Sequence, residues 1–188
     1  MKAYQLKIML KDASPPIWRR VIVPEGLTFT QLSIIINTVM NWSGYHLFDF
    51  EFKYQNLRIE EKSDDDEFSF GYEVLAANET YINEFIENNE WFSYTYDFGD
   101  DWQHRINVEK IVDNYDNNFA QVIKFKGGSP LEDSGHDLSY LDEYDIDYVN
   151  EELEDWYPVT LVDGDNRLQR EIYMDAFENG DFGLIGKK

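Results

Sequence analysis

The sequence predicts an α+β fold: a single compact domain with a mixed or mostly antiparallel sheet, an N-terminal strand-strand-helix-strand unit and acidic C-terminal helices. Three observations predict it. Apolar residues alternate with period two in 3–11, 45–54 and 91–112; a well-marked amphipathic helix starts at Thr28; and an acidic, helix-period pattern begins at His136. At 188 residues the chain suits one domain over 1–188, with a helical appendage over 136–188 as the alternative. Hydrophobic residues make up 43% and aromatics 16%, enough for a packed core and against global disorder.

In the first strand Tyr4, Leu6, Ile8 and Leu10 share one face, and Gln5, Lys7 and Lys11 the other. Ser14-Pro15-Pro16 ends it, because proline lacks a ladder donor. Ile17 to Val23 form a second strand, closed by Pro24-Glu25-Gly26. The helix has Thr28 as N-cap, Gln31 completing a capping box, and Leu27 stapling onto Leu32. Phe29, Leu32, Ile35, Ile36, Val39 and Met40 form its apolar stripe, and Gly44 is the expected stop. His46, Phe48, Phe50, Phe52 and Tyr54 then share a strand face, and Gln55-Asn56 turns into Leu57–Glu60. The charge run Glu60 to Glu67 reads as an exposed loop, Phe68 to Ala76 as a strand, and Asn78 to about Asn88 as a helix carrying Ile82, Phe85 and Ile86 inward.

The chain is organised around Trp91 to Val112, which reads as a β-hairpin. Phe92, Tyr94, Tyr96 and Phe98 share one face of the first strand; Trp102, His104, Ile106 and Val108 share one face of the second. A three-residue loop, Gly99 to Asp101, makes the two apolar faces coincide by pairing Phe98 with Trp102 and Tyr96 with His104. Asp97 then points away, toward Gln103 and Arg105. Beyond it, Ala120 to Phe125 is a strand, Gly127 to Pro130 a loop, His136 to Trp156 helical, and Leu168 to Phe177 a last helix.

Charge excludes some functions. There are 38 Asp plus Glu against 16 Lys plus Arg, a net charge of −22, which repels phosphate backbones and disfavours direct nucleic-acid binding. It favours cations and basic protein partners. The absence of cysteine removes disulfides, zinc knuckles and thiol catalysis. No apolar run approaches membrane-spanning length and no export signal opens the chain, so a cytoplasmic protein without membrane contact is expected.

Asp97-Phe98-Gly99 spells a kinase metal motif without the rest of a kinase, and Asp163 to Asn166 fails the calcium-loop pattern at Leu168 and Met174. What remains is a set of carboxylates and histidines in three places: His46; Asp97, Asp100, Asp101 and His104 around the hairpin; and Glu132, Asp133 and His136 in a Gly/Pro-containing loop. Carboxylates with a neutral imidazole hold a divalent metal or share acid–base work. Asp97, Asp100, Asp101 and His104 are the metal candidates. The bland alternatives are a cross-strand pair for Asp97, turn bonds for Asp100 and Asp101, and a core histidine at 104.

PPIWRRVIVP at 15–24, Asn41-Trp42 followed by His46 to Phe50, YDFGDDWQHRI at 96–106 and PLEDSGHDLSY at 130–140 occur in that order. Together they resemble the plasmid open-reading-frame-three-like family. The resemblance spans most of 3–156 and implies a compact α+β domain and association with mobile-element genes, as TnpR-type passengers of insertion elements. It brings no reaction and no catalytic residues. In the third block Leu131, Ser134 and His136 stand where the family pattern has Pro, Cys and Gly. If glycine is needed there for positive φ, either His136 adopts that conformation or the loop differs from the family's.

The expected function is a non-enzymatic interaction module for a protein partner. Its surface comprises Asp97, Gly99, Asp100, Asp101, Trp102, His104, Glu132 and Asp133. The alternative is a metal-dependent, hydrolase-like enzyme using Asp97, Asp100, Asp101 and His104 with Glu132 and Asp133. An enzyme needs these side chains to converge; a structural motif would use them in turns, caps and internal pairs.

Overall fold

Residues 3–10 form the strand that their alternation predicts, β1 (Ala3–Leu10), with Tyr4, Leu6, Ile8 and Leu10 buried on one face. The computed structural model describes residues 1–61 and 71–155. Strands β2 (Trp18–Pro24), β3 (Phe48–Phe52), β4 (Leu57–Glu60), β5 (Glu73–Ala76), β6 (Trp91–Tyr96), β7 (Trp102–Val112) and β8 (Gln121–Lys126) join β1 in one sheet of order β5-β4-β3-β6-β7-β1-β2-β8. All neighbours are antiparallel except β4 and β5, so the sheet is mixed. Two short strands, β9 (Ser129–Pro130) and β10 (Leu141–Asp142), pair separately. Gly128 makes that corner possible, because a Cβ there would collide with the Asp142 carbonyl.

Helix α1 (Phe29–Met40) covers one face of the sheet. Its capping box is formed as expected: the Thr28 hydroxyl accepts from the Gln31 amide, and the Gln31 side chain accepts from the Thr28 amide at 2.8 Å. Phe29 is the centre of the core, meeting Phe50, Phe52 and Phe92 edge-on at 5.0, 5.8 and 6.5 Å between ring centroids. Burying such a ring contributes about 1.5–3 kcal/mol. Ser33 and Asn37 on α1 bond the Tyr94 hydroxyl at 2.7 and 3.2 Å, giving this apolar contact a fixed polar register.

Helix α1 ends at Asn41, which takes the left-handed conformation (φ 61°) and donates its amide to Asn37 and Thr38, so the expected stop at Gly44 comes three residues earlier. A short side chain that tolerates positive φ does the work assigned to glycine. His46 precedes β3 rather than lying in it. The strand expected from Phe68 is only Glu73–Ala76 among the described residues. The helix expected over 78–88 shrinks to one turn, α2 (Asn83–Ile86), although Ile82 and Ile86 are fully buried as expected. The helical pattern from His136 becomes helix only at α3 (Ile146–Asp155); residues before it form the loop and β10. Most of the acidic run at 60–67 and the helix expected at 168–177 lie outside the described residues.

The hairpin corrects one detail and keeps another. Tyr96 pairs with Trp102, Tyr94 with His104 and Phe92 with Ile106, so the loop is the five residues 97–101 rather than three. Its odd length preserves the parity, and the apolar faces coincide as predicted. Asp97 and Asp101 adopt positive φ (53° and 54°), which lets the chain leave and rejoin the strands early. Phe98 is thereby expelled from the strand and left 54% exposed.

Candidate functional site

Three segments meet at one end of the sheet: residues 42–46 after α1, the hairpin loop 97–101, and the loop 130–136. Trp42 anchors the first. It stacks on Tyr96 at 5.4 Å and donates its indole N–H to the Pro130 carbonyl at 2.9 Å. Beneath the loops, Arg19 is wholly buried, donates to the carbonyls of Val39, Trp18, Lys126, Gly127 and Gly128, and packs 3.7 Å over the Tyr144 ring. These bonds fix the path of the chain into the third segment. Burial lowers its pKa to about 10, which still leaves it charged at neutral pH.

Glu132 is built into the structure. Its carboxylate accepts from the amides of Ser43 (2.8 Å) and Gly44 (3.2 Å) and from the hydroxyls of Ser43 and Tyr96. Burial, and then the charge of Glu132, push the Tyr96 phenol well above its ordinary pKa. Asp100 is engaged too: its carboxylate accepts the Gly135 amide at 2.9 Å, and its carbonyl faces His136 Nδ1 at 3.0 Å. Because a carbonyl only accepts, Nδ1 carries the proton. His136 does adopt positive φ (62°) and stacks on Trp102 at 4.3 Å, so an imidazole occupies a backbone conformation suited to glycine and supplies a stacking surface in addition. Asp101 holds its neighbour Gln103 at 2.9 Å. Gly99 donates to the Asp97 carboxylate at 3.0 Å, and a Cβ would lie 3.2 Å from that oxygen.

His104 is a core residue. It is fully buried, edge-on to Trp42 at 5.6 Å, and neither ring nitrogen has a hydrogen-bond partner of good geometry. Burial pushes its pKa down to about 3, so the ring is neutral. The metal candidates Asp100, Asp101 and His104 are therefore not brought together; among the described residues, only Asp97 of that set belongs to a cluster.

That cluster consists of His46, Asp97 and Asp133, one donor atom from each lying within 4.8 Å of the others. His46 Nε2 is 2.7 Å from Asp133 Oδ1 and 3.6 Å from Asp97 Oδ2. Asp97 is 8% exposed and points the other way from the expected cross-strand pair with Gln103 and Arg105, because its positive φ turns it toward His46. Its amide is held by the Leu47 carbonyl at 2.9 Å. The Tyr45 hydroxyl donates to Asp133, and this bond, followed by that from His46, holds the Asp133 carboxyl below its usual range against the opposing effect of desolvation. One imidazole with two carboxylates is a donor set for a divalent transition metal. Ligands about 2.0–2.2 Å from such a metal lie roughly 3–3.5 Å apart, so the 2.7 Å His46–Asp133 contact would open and the 3.6 Å His46–Asp97 contact would close slightly around an ion.

Sequence reasoning placed His46 in the histidine–carboxylate set but not beside Asp97 and Asp133, and gave Tyr45, Ser43 and Gly44 no part in a functional site. The available signal was positional: His46 lies five residues beyond a left-handed helix cap, where the chain must turn sharply.

A match to the family described as plasmid pRiA4b ORF-3-like protein spans residues 2–161. The chain is 26% identical over 138 residues to the uncharacterized protein y4hQ of Sinorhizobium fredii, covering 72% of this chain and 68% of that one. It is also similar to the crystal structure of a protein of unknown function, MM3350, from Methanosarcina mazei Go1. The TM-score is 0.62 at 31% identity, over 85% of this chain and 86% of that one.

Proposed function

The chain belongs to the plasmid pRiA4b ORF-3-like family, and we propose from that premise that it is a binding module whose working surface is the three-segment loop end, organised by a divalent cation on His46, Asp97 and Asp133. One observation carries this reading. The neighbouring carboxylates Glu132, Asp100 and Asp101 are engaged by backbone and side-chain donors, whereas the donors of His46, Asp97 and Asp133 converge. Around them Tyr45, Leu47, Phe98 and Leu131 are exposed by 41–54%, on segments that the same bonds tie together. Apolar side chains beside a charged centre suit a protein partner. The net charge of −22 favours a basic one over nucleic acid. Among the described residues no helix is long and apolar enough to cross a membrane, and no membrane contact enters this reading. The module would act as an accessory product of mobile-element genes, by contact rather than by recombination.

A second reading, metal-dependent hydrolysis, is favoured by the half-exposed Asp133 side of the cluster, where open coordination positions would face solvent. The experiment for both is titration of the metal-free protein with Mg²⁺, Mn²⁺, Zn²⁺ and Ca²⁺ while following Tm. A specific site filled at a hundredfold its Kd adds about 2.7 kcal/mol, roughly 5–10 °C for a chain of this size. The expected result is a shift of that size for one transition metal, abolished in Asp97→Asn and His46→Gln. Equal small shifts for every ion, retained in both variants, would end the metal reading. Hydrolysis by the loaded protein, lost in Asp97→Asn, would replace the binding module by the enzyme.

A further inference from the structure

The sheet face opposite α1 carries a charge pattern that the chain's overall charge conceals. The register aligns two adjacent rows across five strands: Trp91–Asn107–Lys7–Arg20–Lys124 and Ser93–Arg105–Met9–Trp18–Lys126. Five of the chain's 16 Lys and Arg therefore stand in a band about 19 Å long, taking roughly 4.8 Å per strand. Glu109 is the acid that reaches into it, forming a bidentate pair with Arg20 at 2.6 and 2.7 Å. Lys7, Arg105, Lys124 and Lys126 have no carboxylate within ion-pair distance among the described residues. Among the described residues, acids also stand at the hairpin tip, where Asp101 holds Gln103, and beyond β6, at Glu51, Asp49 and Glu60. The described helices pack on the other side of the sheet: Phe85 of α2 against Phe29 and Phe52, and α3 against α1 and β8.

The indoles in the band hold its cations in place. Lys7 and Arg20 lie over Trp18 at 4.9 and 5.3 Å, and Arg105 lies over Trp91 at 4.1 Å. Cations ordered in this way lose less side-chain freedom when they meet an anion. The same geometry selects the kind of anion. Rings already covered by cations are not open platforms for base stacking, so nucleic acid would have to bind by charge alone, against the field of a −22 chain. An acidic peptide with a few charges meets the band at lower electrostatic cost. About six extended residues span it, with side chains on one side repeating every ~6.8 Å.

We propose that the face of β7, β1, β2 and β8 opposite α1, on which no described helix packs, is a docking surface for an acidic, extended polypeptide segment lying across the strands. It is separate from the cation cluster at the loop end. The test is fluorescence anisotropy of the full-length protein with a labelled peptide of alternating Glu and Ser, its Gln and Ser counterpart, and an oligothymidine of equal length. The expected result is salt-sensitive binding of the acidic peptide alone. It should weaken about tenfold or more in Lys124→Glu/Lys126→Glu, whose Tm is unchanged, and be retained in Asp97→Asn. Tighter binding of the oligothymidine, no binding of the acidic peptide, or binding that survives the charge reversal would each overturn the proposal.

Discussion

Glu132 and Asp133 are neighbours with the same charge, yet they belong to different halves of the loop end. The inner half, with Trp42, Ser43, Tyr96 and Glu132, is a closed set in which four donors converge on one carboxylate. The outer half, with Tyr45, His46, Asp97 and Asp133, holds two carboxylates around a single imidazole at the rim. A carboxylate whose acceptor capacity is filled by the fold acts as structure. Asp133, which meets only side chains at the rim, can exchange them for a ligand, whereas the buried Asp97 also accepts the Gly99 amide.

Removing Glu132 should give the largest effect. Glu132→Ala strips two amides and two hydroxyls of their common acceptor and is expected to cost about 3–5 kcal/mol, measured by chemical denaturation. Asp133→Ala should cost less than about 1 kcal/mol in the metal-free protein while abolishing any metal-induced rise in Tm. Equal costs for the two would erase the distinction between the halves.

The two histidines extend the contrast. His104, with a folded pKa near 3, binds its proton less readily than the unfolded chain does. Its contribution to stability is therefore present above pH 6.5 and falls as pH drops from 6.5 toward 3, by about 1.4 kcal/mol per unit. Replacement by leucine should flatten that slope, as read from denaturation curves at several pH values. At pH 7 it should cost no more than about 1–2 kcal/mol, because the ring's contacts to the Trp102 and Tyr94 backbones are poorly aligned. His46→Gln should remove the metal response, read as the loss of the metal-induced rise in Tm.

The smallest effect is expected at the hairpin tip. Asp101→Asn keeps a side chain that tolerates the φ of 54°, changes only an exposed contact to Gln103, and should shift stability by about 0.5 kcal/mol or less. Gly99→Ala should cost about 1 kcal/mol, because its Cβ crowds the Asp97 carboxylate, and should weaken the metal response through that residue.

Much of the fold was legible from local periodicity. The buried face of β1, the apolar stripe of α1 and the Thr28–Gln31 capping box depend on residues close in sequence, and all three formed as read. Hairpin parity was legible as well, since one-residue slippage would have turned Tyr94 and Trp102 out of the core. Its length was not. Moving the register by two residues keeps every face in place, so the pattern cannot distinguish three loop residues from five. Asp97 and Asp101 decide it by accepting positive φ, with Asp97 tied to Leu47.

The candidate site divides along the same line. Residue order alone shows which segments carry histidines and carboxylates and where the aromatic core lies, and it raises, without settling, a glycine-like conformation at His136. Residue type and spacing act locally, and these features are local. Only the tertiary structure decided that Glu132 closes on Ser43 and Tyr96, that His104 is sealed behind Trp42, and that His46 meets Asp97 and Asp133. Those pairings join residues 36 to 89 positions apart, whose approach is set by the packing of α1, the hairpin and the Arg19-anchored loop rather than by any pattern along the chain.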